Sequence, residues 1–120
     1  MNDTYITCQE ENGSINISEE VISSVVRASV VEVEGVAGLA NTAGSEIAEL
    51  IGIKSLSRGV KVQFSEEKMI VDAIVNVSYG SNIIEVAKAV QEKIMSVVQF
   101  TTGIENAQVN VHVAGISFDK

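Results

Sequence analysis

From Val60 to Tyr79 the chain alternates apolar and polar residues with the period of a β-strand. Val60, Val62 and Phe64 alternate with Lys61, Gln63 and Ser65; past Ser65-Glu66-Glu67-Lys68, Val71, Ala73, Val75, Val77 and Tyr79 alternate with Asp72, Ile74, Asn76 and Ser78. Successive strand side chains point to opposite faces, so two such runs across a short polar turn predict a β-hairpin with one face in a core. The other face then meets solvent or another subunit. Composition agrees: Val (19) and Ile (14) far outnumber Leu (3). Such a β-branched excess favours sheet and leaves any helix to be held by packing rather than by propensity.

Helical spacing takes over on either side of the hairpin. Ser18 predicts an N-cap, Glu19 and Glu20 suit the positive end of the helix dipole, and Ile22, Val25, Val26, Ser29, Val30 and Val33 recur on one face. These residues predict a helix over 18–34, stopped by Gly35. A second helix is predicted from Asn82, with Glu85 completing a capping-box pattern, to Gly103; Ile83, Ala87, Val90, Ile94, Val97 and Val98 form its apolar stripe. A last strand over 107–116 places Ala107, Val109, Val111 and Val113 inward and Gln108, Asn110 and His112 outward. Ahead of the first helix, Asn12-Gly13 is a hairpin-turn dipeptide that could join Tyr5–Gln9 to the strand Ser14–Ile17.

The resulting order is strand, helix, strand, strand, helix, strand. It predicts an α+β two-layer sandwich with both helices on one face of a sheet. Residues 1–12 are expected to be an acidic flexible tail. Residues 13–118 are expected to form a single domain with a Gly-rich connection at 35–59, which holds Gly35, Gly38, Gly44, Gly52 and Gly59. The N-terminal residues MNDTYITCQEEN lack the basic and apolar regions of a secretory signal, and no apolar run reaches the length of a membrane span. A cytoplasmic chain is expected.

The chemistry-bearing residues are few. With 8 basic and 16 acidic residues the formal net charge is −8, which opposes binding to nucleic acid or to an anionic membrane. Cys8 has no second cysteine to pair with, and Cys8 and His112 are too few for a zinc site. His112, the single histidine, lies between Val111 and Val113 on an outward strand position, with no nucleophile pointed to it by sequence. Of the acidic pairs at 10/11, 19/20, 32/34 and 66/67, a helix start accounts for Glu19-Glu20 and a solvated turn for Glu66-Glu67, and calcium or magnesium at one of the pairs is the alternative reading. No catalytic, cofactor or metal residues are therefore expected. Gly35-Val36-Ala37-Gly38 does fit the GxxG of KH domains, which clamps a nucleic-acid backbone. Its flanks are Glu32 and Glu34, with no Lys or Arg until Lys54, so phosphate would be repelled. A KH-like RNA-binding module using this turn is the alternative to an interaction protein. A cation or small-ligand sensor built on 35–59 is a third reading.

Six ordered motifs carry a family resemblance: GSINISEEVI at 13–22, VEGVAGL at 33–39, GVKV at 59–62, VDAIVNVSYG at 71–80, IIEVAKAVQEKI at 83–94 and TGIENAQVNVHVAGISF at 102–118. Together they resemble the alkaline-shock-protein, or envelope-stress-response, family of Gram-positive bacteria. The resemblance implies a cytoplasmic, non-enzymatic scaffold or adaptor tied to cell-envelope homeostasis, with no cofactor. It also implies self-association into a homo-oligomer and recruitment to the membrane through a small membrane-anchored partner.

Apolar residues in excess of the core's needs mark where such contacts would form. Val36, Leu39, Ile51, Ile53 and Leu56 exceed what the connection needs for tethering, and near the C-terminus Ile116 and Phe118 extend an apolar strand that no Lys or Pro guards before Lys120. Gly35, Val36, Gly38, Leu39, Ile116 and Phe118 are the expected interaction surface.

Overall fold

The computed structural model describes residues 5–39, 59–65 and 68–118. Its elements are β1 (Tyr5–Glu10), β2 (Gly13–Ser18), α1 (Glu19–Val30), β3 (Val36–Leu39), β4 (Val60–Ser65), β5 (Lys68–Ser78), α2 (Ile83–Thr102) and β6 (Gln108–Ser117). The α+β class and the layering of two helices on one side of a sheet follow the expectation, with β1 and β3 added to the expected order.

Strand β5 organises the sheet. Its whole length pairs in parallel with β6, from Ile70↔Gln108 to Ser78↔Ser117. Its other edge is shared end to end by two strands, both antiparallel to it. β4 takes residues 68–73, from Ser65↔Lys68 to Val60↔Ala73, and β3 takes residues 75–77, from Leu39↔Val75 to Val36↔Val77. The Gly59 carbonyl accepts from the Ile74 amide at 2.8 Å. The chain thus leaves this edge at Leu39 and rejoins it at Gly59, one β5 residue further on. The expected Gly-rich connection at 35–59 therefore opens with a strand; its stretch 40–58 lies outside the described residues, as do Glu66 and Glu67 of the expected hairpin turn.

The core is the alternation of the sequence folded onto itself. Val60 and Val62 of β4, Met69, Val71, Ala73, Val75 and Val77 of β5 and Val109 of β6 meet Ile22, Val26 and Val30 of α1 and Val86, Val90, Ile94 and Val98 of α2. Most are fully buried, and β-branched residues make up nearly all of this close-packed layer.

Both helices start as their caps predict. Ser18 Oγ accepts from the Val21 amide at 3.2 Å, and Asn82 Oδ1 accepts from the Glu85 amide at 3.0 Å. Gly103, at φ +81°, closes α2 as expected. Helix α1 ends at Val30, four residues before the expected last helical residue, Glu34. The amides of Glu32 and Val33 bond to the carbonyls of Ser29 and Val30, i to i−3, which tightens the last turn and breaks the helix before Gly35 turns the chain into β3. The stripe of α2 is also rotated: Val86 rather than Ile83 is the first buried residue, and Ile83 and Ile84 are exposed.

Residues 5–10 of the expected tail form β1, which pairs with β2 from Tyr5↔Ser18 to Glu10↔Gly13. The two-residue loop is Glu11-Asn12, one position earlier than the expected Asn12-Gly13. Gly13 thus falls at the fourth position of the turn, where glycine is favoured.

Candidate functional site

The expected surface residues fall on two sides of β5. Val36 of β3 and Ile116 of β6 both face Val77, one from each edge, so the three residues form a single row across the sheet. The structure treats the two halves differently. Val36 and Leu39 are half-buried and pack against the core. Gly35 sits at φ +96°, and a Cβ there would meet Val86 Cγ2 at 2.5 Å, so its role is the close approach of the β3 start to α2. Gly38 pairs with Asn76 beyond a register shift in β3. The segment Gly35–Gly38 thus runs into an edge strand rather than forming a loop between two helices, which is the setting the KH clamp requires.

Ile116 and Phe118 meet residues whose spacing predicts core positions. Phe118 stacks on Tyr79, with ring centroids 4.8 Å apart and planes at 28°. Together with Ile83 and Ile116 they line a cleft of about 310 Å³, whose remaining wall is Ser78, Gly80 and Ser81. Tyr79 is 71% exposed and Phe118 73%. Tyr79 continues the inward alternation of β5, but α2 begins only at Ile83, past the Gly80-Ser81-Asn82 corner, and buries nothing before Val86. The apolar row therefore runs beyond the helix that would cover it. The signal available in sequence was that corner, which places the helix start four residues after Tyr79.

On the other side of the corner a second cleft of about 400 Å³ is lined by Val33, Glu34, Gly35, Ser81, Asn82, Glu85, Val86 and Ala89. Ser81 lines both clefts. Glu34 and Glu85 are exposed, and among the described residues no Lys or Arg lines either cleft.

A polar cluster on the sheet face away from the helices was not anticipated. Asp72 is only 5% exposed, and Ile74 beside it on the same face is fully buried, so the centre of this face is closed. Asp72 Oδ1 accepts from Asn110 Nδ2 at 3.1 Å and lies 3.2 Å from His112 Nε2. Lys61 is the cross-strand neighbour of Asp72 on β4. A buried carboxylate requires such donors to offset its lost hydration. The residues expected to be outward thus satisfy one another. His112 is half-buried, and its interaction with Asp72 orients the ring. Of the acidic pairs, Glu20 contacts Arg27 at 3.4 Å and Glu32 reaches Lys93 at 3.9 Å, while Glu66 and Glu67 and the Cys8 side chain lie outside the described residues. No group of three metal-ligating side chains occurs among the described residues.

Comparison with known proteins matches residues 7–118 to the model of the alkaline shock protein 23 family, described as having a cell envelope-related function. YloU of Bacillus subtilis is 35% identical over 113 residues, 92% of this chain and 94% of its own length. YqhY of the same organism is 31% identical over 107 residues, 89% and 79% of the two chains. None of these matches names an enzyme. Among solved structures, the MamM CTD aligns with a TM-score of 0.48 at 14% identity, over 80% of this chain and 93% of the other.

Proposed function

The chain belongs to the alkaline shock protein 23 family, whose function is cell envelope-related, and on that premise we propose that it is a non-enzymatic cytoplasmic adaptor acting through protein–protein contacts. The observation that carries this reading is the exposed apolar end formed by Tyr79, Ile83, Ile116 and Phe118. Exposed patches that join aromatic and aliphatic side chains beside a cleft mark contact surfaces, because leaving them in water costs apolar hydration.

Self-association uses the edge of β6 ahead of that apolar end. β6 pairs with β5 on one side and, among the described residues, with no strand on the other. From Gln108 to Phe118 it carries no Asp, Glu, Lys or Arg. Gln91 of α2 donates to the Val109 carbonyl at 2.9 Å and so covers the start of the strand. Between that point and the apolar end, residues 110–114 offer backbone groups to a second copy. No described helix is long and apolar enough to cross a membrane; a membrane-anchored partner that brings the chain to the envelope is part of this proposal.

Light scattering coupled to size exclusion, over a range of concentrations, tests the proposal. The expected result is an oligomer that Ala114→Lys, at the exposed register shift of β6, converts to monomer. A strict monomer at every concentration, with no partner retained from the native cell, overturns it.

A further inference from the structure

We infer that the exposed end is a two-part docking site for a protein segment that places apolar side chains next to lysine or arginine. The inference rests on the adaptor reading and adds the chemistry of the partner. Ser81 forms a shared wall between two largely apolar clefts, of which only the second carries carboxylates. The first, under the Tyr79–Phe118 stack, is apolar and has room for a large aliphatic or aromatic side chain. The second presents Glu34 from the α1–β3 turn and Glu85 from the first turn of α2. Neither carboxylate has an ion-pair partner among the described residues, whereas Glu20 and Glu32 each meet a cation.

Charge selects the occupant. An anionic segment would meet these two carboxylates on a chain of net charge −8, and like charges juxtaposed at an interface oppose binding. A second copy of this chain setting the same surface here is disfavoured for the same local reason, since it brings its own Glu34 and Glu85 against these carboxylates. Self-association is left to the uncharged β6 edge. A partner segment that seats Leu or Phe in the apolar cleft and sets Lys or Arg against Glu34 and Glu85 satisfies both halves. Cytoplasmic segments flanking membrane spans carry this pattern, because Lys and Arg accumulate on that side next to apolar residues. Such a partner suits a family with a cell envelope-related function.

The test titrates the full chain into three labelled peptides of equal length and follows fluorescence anisotropy. The first alternates Lys with Leu and Phe, the second replaces each Lys by Glu, and the third replaces each Leu and Phe by Ser. Only the first is expected to saturate, with affinity falling as salt is added. Phe118→Ser, and separately the pair Glu34→Gln with Glu85→Gln, should each weaken it about tenfold; all these positions are exposed, and melting curves verify that the variants fold. Equal binding of the Glu peptide, or binding indifferent to both sets of variants, overturns the inference. Conversion of the oligomer to monomer by Phe118→Ser also overturns it, by assigning the end to a second copy. If no peptide binds while Ala114→Lys still dissolves the oligomer, the docking chemistry fails and the adaptor reading stands.

Discussion

Two stretches of one apolar row have opposite fates. Val71, Ala73, Val75 and Val77 lie under α1 and α2 with no exposed surface, while Tyr79 and Phe118, the continuation of the same face, are open to solvent. Composition does not separate them, since both are apolar and both follow strand periodicity. The difference is coverage: α2 starts at Ile83 and its first buried residue is Val86, so the sheet outruns its helical layer. Within the covered stretch an apolar side chain contributes stability. Beyond it the same kind of side chain contributes little to folding and is available to a partner.

Truncation under the helices should have the largest effect. Ile94 is fully buried in the core layer. Ile94→Ala should lower unfolding stability by about 2–5 kcal/mol, since the transfer energy of the lost methylenes is compounded by a cavity that close-packed neighbours do not fill. Chemical denaturation measures it. A loss well under 1 kcal/mol would mean that the covered stretch is not packed as described. The boundary itself is tested at Gly35. Its φ of +96° and the 2.5 Å approach of a Cβ to Val86 make Gly35→Ala both strained and crowded. The expected cost is about 1–3 kcal/mol. Because Val86 is where burial by α2 begins, amide exchange should rise first in the opening turns of α2. Uniform loss of protection across the sheet would place the boundary elsewhere.

The parts of this arrangement legible in sequence are those fixed by local chemistry. The β4–β5 hairpin follows from alternation across a short turn, and α2 is bounded by Asn82 and Gly103, each of which satisfies helix-end backbone groups within a few residues. What sequence does not carry is pairing at a distance. β3 is four residues long, contains Gly38 and owes its existence to Val75–Val77, far along the chain. The Asp72, Asn110 and His112 cluster depends on the parallel register of β5 and β6 across the whole of α2. For the candidate site, Ile116 and Phe118 were legible as apolar residues at the end of an unguarded strand. Tyr79 and Ile83 were not, because alternation and helical spacing describe which way a residue faces and not whether anything lies above it. Val36 and Leu39 illustrate the converse: their apolar character suggested a surface, and packing against the core absorbed it.

The smallest expected change in stability is at Phe118, and it sharpens the comparison most. Phe118 is 73% exposed and its described ring contact is with Tyr79, itself exposed. Removing the ring leaves no cavity in the core and uncovers no buried polar group. Phe118→Ser should therefore shift unfolding stability by no more than about 0.5 kcal/mol, as for surface positions in general, in contrast to the cost at Ile94. Its effect should instead fall on contacts with other molecules: the apolar cleft loses one wall, and a partner segment loses the surface on which it would be desolvated. Measured together on the same variant, an unchanged denaturation midpoint and a lost peptide isotherm would show that the row divides where α2 begins. A stability loss approaching that of Ile94→Ala would place Phe118 within the fold's own core and erase the distinction.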